Sequence, residues 1–492
     1  MVSERRATVT EDYLDPDERD DGASAPATST PPAPAKKPDK HLYQIDFVRL
    51  VTFASVILDH VILNIPHIVN MSTGAVGLMM RYTRYSFFAL TGFVLTYQYR
   101  DRELKALTFW RRRYKLIGLP FVTWSLFYWV YGRYIAGGWT DLRALFDSAA
   151  SIGLALKSIC YDLITGNAWY HLYFLSVSMQ IYLVFPGILW VLRRTWDYHR
   201  YLLVGSFAFH LGLIYLMTSP PVPFFDHGVQ MTIARHLVAT ILPYQFFILA
   251  GCVAAMHYPA FQRFMVRWRL PVIVVSVAVI AATIIYFVHQ VDLGITIERA
   301  SNVFLVHNVF AYIAVILILY CLGTLWQDRR RPGSVADGFM RTAADRSFGI
   351  YLAHALALSA LMPVITKHAG GAPWPLLLLS FVGTVVLTVF IVEVLRRSPI
   401  SLITTGRNRI DWRTQNAGRS LLVGVFGIIV GAAIRILVEP LPGNLVMATG
   451  ALLVVSALAV FWRRYRDGAT PGPTTPEAGS TPSVTNSATV EG

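Results

Sequence analysis

Stretches of about 20 consecutive apolar residues, the length that crosses a hydrocarbon core, recur along the chain from position 45 to position 462. Their boundaries predict twelve membrane helices: 45–65, 78–99, 114–132, 170–192, 201–218, 237–256, 271–289, 303–325, 348–366, 375–395, 420–437 and 444–462. These segments carry almost no polar face, which a helix of a soluble protein needs. The pattern therefore predicts an all-α polytopic integral membrane protein. Between the third and fourth segments, DLRALFDSAASIGLALKSI (141–159) is amphipathic and is expected to lie at the interface. Residues 1–40 are polar, acidic at first and then rich in Ala, Pro, Ser and Thr, and residues 467–492 read the same way. Neither tail holds enough apolar surface to fold, so both are expected to be disordered.

Composition agrees with this pattern. The 492 residues are 54% hydrophobic and 15% charged, against roughly 25% charged in soluble domains. The net charge of +14 could indicate a nucleic-acid partner, but its placement indicates topology instead. With the N-terminus cytoplasmic, the expected inner loops hold the basic clusters around 100–113, 193–200, 263–269, 329–346, 396–413 and 463–466. The expected outer loops hold few cations: Arg133, Arg143, Lys157, Arg235, Arg299 and Lys367. That asymmetry predicts an even helix count, both termini in the cytoplasm and no nucleic-acid partner. Three dispersed cysteines, Cys160, Cys252 and Cys321, give no disulfide framework and no CxxC motif. No signal-peptide pattern precedes the first helix, which is expected to serve as an uncleaved signal.

Candidate chemistry concentrates in the first helix, IDFVRLVTFASVILDHVILNI, with Asp46, Arg49, Asp59 and His60. Ionisable groups inside a membrane helix are costly and point to function. Arg49 and His60 lie eleven residues apart, which returns to nearly one helix face with an axial offset of about 16 Å. A guanidinium can pair with phosphate, and an imidazole can act as general base on a hydroxyl. The alternative makes Arg49 a topology charge and His60 a structural histidine. Asp59 points about 100° away from His60, so no orienting role is expected. Arg81 and Arg84 carry positive charge where the trend disfavours it, which suits a role toward an anion or a carbonyl. His354 and Tyr351 form a polar pair midway along the ninth segment and are expected to face a cavity. Ser347 and Gly349 are expected to cap that helix and let it pack closely, and Glu393 to pair locally with Arg396 and Arg397. No Gly-x-Ser-x-Gly elbow, P-loop, nucleotide-binding glycine fingerprint or metal-ligand spacing is present. His41 and Asp46 form a His-x4-Asp spacing, but it straddles the membrane entry and is set aside.

The first helix, with its Arg-x10-His pattern and an Asp three residues before the Arg, resembles the acyltransferase 3 family of bacterial membrane-bound O-acyltransferases. Four further segments agree, in order: RYSFFALTGFVL (84–95), FWRRRYKLIGLPFVTWSLFY (109–128), WYHLYFLSVSMQIYLVFP (169–186) and SFGIYLAH (347–354). The resemblance covers about 41–400, a ten-helix acyltransferase domain. Residues 401–466, with two additional helices and a basic loop, lie outside it. One departure stands in the basic run, where the Arg-x-x-Arg of many members is Arg112-x-x-Lys115; a Lys keeps the charge and loses the bidentate fork.

What the resemblance implies is an O-acyltransferase of the cytoplasmic membrane. It would move an acyl group, most commonly acetyl, from acyl-CoA as co-substrate to a hydroxyl. The acceptor would be a surface polysaccharide, a cell-envelope glycolipid or another hydroxyl compound. His171 enters as a site residue by the same resemblance. In this reading Arg49, Arg112, Arg113 and Lys115 hold the CoA phosphates. His60 acts as base or passes the acyl group on covalently, and Arg84, His171, Tyr351 and His354 bind substrate; no metal is needed. A lipid or sugar transporter shares the twelve-helix layout. Against it, RDRELKALTFWRRR lacks the loop motif of one large transporter class, and no internal repeat is visible.

Overall fold

The computed structural model describes residues 41–65, 69–218, 236–367, 372–466 and 468. The two expected tails, 1–40 and 467–492, fall outside this set apart from Gly468, as does Arg235. No β-strand occurs among the described residues, and eight helices are long and apolar enough to cross a membrane by length and composition. The chain is an all-α polytopic membrane protein.

The opening helix α1 (Tyr43–Asn64) packs against five others. These are α2 (Met71–Met80), α3 (Tyr82–Tyr99), and the later helices Val306–Arg329, Val335–Lys367 and Pro373–Arg397. That central position explains how a helix carrying Asp46, Arg49, Asp59 and His60 is accommodated: its polar groups face protein. By contrast Arg269–Asp292 exposes Val274, Val275, Val277 and Ile285, the apolar surface expected toward lipid.

Each expected segment is helical over at least part of its length, and several boundaries move. The second is two helices, α2 and α3, meeting at Arg81; α2 opens with a capping box between Asn70 and Thr73. The third starts earlier, as α4 (Ala106–Arg113), passes through a π-turn at Tyr114–Gly118 and continues as α5 (Leu119–Ala144). A kink at Gly138, at φ +67°, breaks α5 near its end. The amphipathic stretch forms α6 (Ala149–Thr165), and the fourth segment, α7, begins at Tyr173. The sixth is regular only from Gln245 to Met256. The ninth extends back to Val335, so Ser347 and Gly349 lie inside it and cap nothing. Ser347 donates to the Ala344 carbonyl, and Gly349 fits closely against Val392. Hydropathy missed this extension because its first turns carry Asp337, Arg341, Asp345 and Arg346.

Close approach through small residues fixes two helix pairs, as is common in membranes. A Cβ on Gly251 would stand 2.0 Å from the Ala89 carbonyl oxygen, pinning helix Gln245–Met256 to α3. Gly424 and Gly450 meet in the same way between the last two helices, Ala417–Leu437 and Pro440–Arg466.

Candidate active site

Four elements bring the titratable residues together at the Asn64 end of α1. His60 comes from α1, Arg84 from α3, His171 from the turn before α7, and Tyr351 and His354 from helix Val335–Lys367. The His60 and His354 rings stack with centroids 5.2 Å apart, and His171 meets His354 edge-on at 5.0 Å. Tyr170 lies 4.7 Å from His60. The Tyr351 hydroxyl donates to the backbone carbonyl of His171, which ties the turn to the long helix. His60, Arg84, His171 and Tyr351 line one cavity of about 30 Å³ together with Asp59 and Tyr173. That volume has room for ordered water and not for an acyl chain.

Tyr351 lines this cavity as expected, whereas His354 lies behind it against the His60 and His171 rings, and the polar inventory of the cavity and of that histidine is incompletely paired. His354 Nδ1 lies 2.6 Å from the Tyr351 carbonyl oxygen. A carbonyl can only accept, so Nδ1 carries the proton and the neutral ring has its lone pair on Nε2. That Nε2 is buried without a partner, as are both ring nitrogens of His171 and Asp59 Oδ1. Arg84 lies over the Tyr173 ring at 5.8 Å and within electrostatic reach of Asp59 and His60. Arg81, its neighbour in sequence, instead donates to the Ser301 carbonyl.

Arg49 stands at the other end of α1, eleven residues and about 16 Å away along the axis. It pairs with Asp46 at 3.2 Å and lies within electrostatic reach of Tyr182 and Arg407. Arg113 donates to Gln98 Oε1 at 2.7 Å and stands 6.0 Å from the Tyr182 ring centroid. Trp110 holds that tyrosine's backbone by a 3.0 Å hydrogen bond to its carbonyl. Arg112 and Lys115 are exposed and unpaired among the described residues. Glu393 pairs with Arg397 as expected and also with Arg346 at 2.8 Å, while Arg396 turns instead to Asp345 at 3.0 Å. The local-pair reading of Glu393 is thus corrected: helix Val335–Lys367 supplies half of the network, which sequence proximity could not show.

The candidate residues therefore form two groups, one at each end of α1. The histidine group gains Asp59, Tyr170 and Tyr173, and the basic group gains Arg407. Asp59 carried a signal, as a carboxylate in a membrane helix. Angular separation from His60 argued against it, but a cavity wall wraps more than 100° of a helix. Arg407 carried no signal, because a basic loop reads as topology charge.

No group of three or more His, Cys, Asp or Glu side chains among the described residues is arranged to hold a metal ion. Neither a curated protein nor a solved structure matches the chain. A family model described as an acyltransferase domain matches residues 42–393. That span takes in both ends of α1 and every residue of the histidine group, and the chain belongs to the acyltransferase 3 family.

Proposed function

We propose that this membrane acyltransferase moves an acyl group from acyl-CoA, bound at the Arg49 end, to a hydroxyl of a surface carbohydrate or glycolipid at the His60 end. The observation that carries the reading is the cluster of His60, His171 and His354, the last two buried with unpartnered nitrogens, which His60 joins from the far end of the helix that carries Arg49. In the transfer, the base takes the hydroxyl proton and the oxygen attacks the thioester carbon. The C–O bond forms, the C–S bond breaks, and the proton passes to the departing CoA thiolate. In this mechanism Arg84, which lines the same cavity, donates to the oxyanion that develops at the carbonyl. Acetyl is the donor group favoured by family membership.

A second reading moves the base from His60 to His354. It is favoured by the Tyr351 carbonyl, which fixes the tautomer with Nε2 as acceptor. The two readings differ in which single substitution abolishes transfer.

The protein purified into liposomes tests the function. Release of CoA that depends on an added hydroxyl acceptor is the expected result; solute flux without CoA release would make it a transporter. The basic loops support a cytoplasmic Arg49 end and cytoplasmic tails in the cell membrane. Cysteines introduced at positions 20 and 480 should then escape a membrane-impermeant label in intact cells, and labelling at either would reverse the orientation.

A further inference from the structure

The segment between helix Pro373–Arg397 and the last helix pair lies past the family match, yet it folds back under the Arg49 end. Its short helix Ser401–Thr405 packs against α5, where Trp124 donates to the Thr404 carbonyl at 2.8 Å. The chain then turns at Gly406, φ +64°, where a Cβ would stand 2.3 Å from the Leu116 carbonyl oxygen. Only glycine allows so close a seat in the left-handed region. Beyond the turn, the Arg407 carbonyl accepts from Ser401 Oγ at 2.9 Å, Arg396 donates to the Asn408 carbonyl, and Arg409 donates to the Arg397 carbonyl at 2.6 Å. The backbone on both sides of Arg407 is thus fixed by bonds that do not use its guanidinium.

That guanidinium is left under-compensated. Its carboxylate neighbour is Asp345, at 3.6 Å, and Asp345 already serves Arg346 at 2.7 Å and Arg396 at 3.0 Å. The Arg407 side chain is about half exposed, at 56%. The contact of Gly406 with Leu116 sets it beside the turn carrying Lys115, an ammonium that lacks the fork of a guanidinium. Arg49, Arg113 and Arg407 thus gather at one end of the bundle, where the nearby carboxylates are Asp46, a shared Asp345 and Glu393, the last already paired with Arg346 and Arg397. A rigid loop that holds one more cation against like charge is suited to an anion between them.

We infer that Arg407 is a donor-binding residue: its guanidinium contacts a phosphate group of acyl-CoA together with Arg49, and so extends the donor site beyond the part of the chain shared with the family. The inference rests on the reading that the Arg49 end takes acyl-CoA. An anionic lipid headgroup offers the same phosphate chemistry, so the test separates the two.

The experiment measures acetyl-CoA binding to the full-length protein in phosphatidylcholine vesicles, with and without added phosphatidylglycerol, for wild type, Arg407→Gln, Arg407→Lys and Arg49→Ala. Arg407→Gln should weaken acetyl-CoA about tenfold in phosphatidylcholine alone, the lower end for a hydrogen bond to a charged group. It should also flatten the salt dependence of binding. Arg407→Lys should recover part of the affinity, which a merely structural role would not predict, and the thermal midpoint of both variants should match wild type. Weakening by Arg49→Ala with unchanged binding in Arg407→Gln overturns the role of Arg407 and leaves the donor site standing. Unchanged binding in both overturns both readings. An Arg407→Gln effect seen only when phosphatidylglycerol is present assigns Arg407 to the lipid headgroup and likewise overturns its donor role.

Discussion

The two ends of α1 handle polar groups in opposite ways. At one end Arg49 is paired with Asp46, and the surrounding guanidiniums share Asp345 and Glu393. At the other, buried nitrogens of His171 and His354 and one oxygen of Asp59 have no partner. Buried polar groups in folded proteins are nearly always hydrogen-bonded, and each exception calls for an explanation. An end where cations such as Arg112, Arg113, Lys115 and Arg407 exceed the carboxylates available to them is suited to hold an anionic ligand. Unpaired nitrogens are suited to exchange protons with whatever enters. Under the proposed function, one helix joins the donor anchor to the reacting end and sets the distance between them.

Substitutions that act on one end alone can break this division. The largest effect is expected from His60→Ala, which should lower acyl transfer by about 10²- to 10⁴-fold while acyl-CoA still binds. Surface acylation at matched membrane levels, assayed beside His354→Ala, checks it; an active His60→Ala with an inactive His354→Ala transfers the role of base to His354. Arg84→Gln comes next, at about 10²- to 10³-fold in rate if it removes a donor to the oxyanion. Single-turnover measurement with saturating acetyl-CoA should show the loss in the chemical step; a loss confined to donor affinity would reassign Arg84.

Arg49→Ala should cost roughly 1.5–3 kcal/mol of donor binding, or about 10- to 150-fold in affinity. Titration with acetyl-CoA should find this in well-folded protein, and full affinity would reduce Arg49 to a topology charge. The smallest effect belongs to Tyr351→Phe, which removes the hydroxyl that donates to the His171 carbonyl. One hydrogen bond is worth about 0.5–1.5 kcal/mol, so thermal stability should fall slightly and transfer several-fold. No change in either would mean that the turn before α7 is held without it.

Much of this division was legible in the sequence. The twelve apolar runs all fall on helix over at least part of their length, eight of them in helices long and apolar enough to cross a membrane among the described residues, and the eleven-residue spacing of Arg49 and His60 separates the two groups. What escaped detection depended on contacts between distant segments. Arg81 ends one helix and starts another, which a continuous apolar run conceals. The charged turns of 335–347 are helical because helix-to-helix ion pairs with Glu393 and Arg396 accommodate them, and hydropathy counts only the charges. Arg407 is brought within electrostatic reach of Arg49 by a turn whose decisive residue, Gly406, leaves no mark in an apolar pattern. The histidine trio was partly foreseen, since His60 and His354 are polar groups within apolar helices. That they stack on each other follows from helix packing alone.

The smallness of the cavity has a kinetic consequence under the proposed mechanism. A cavity of about 30 Å³ holds water and not a thioester, so under this mechanism the groups around His60 must part to admit the acyl group. Motions of packed helices run in microseconds to milliseconds, so opening and product escape can set the pace of the cycle while the chemical step waits.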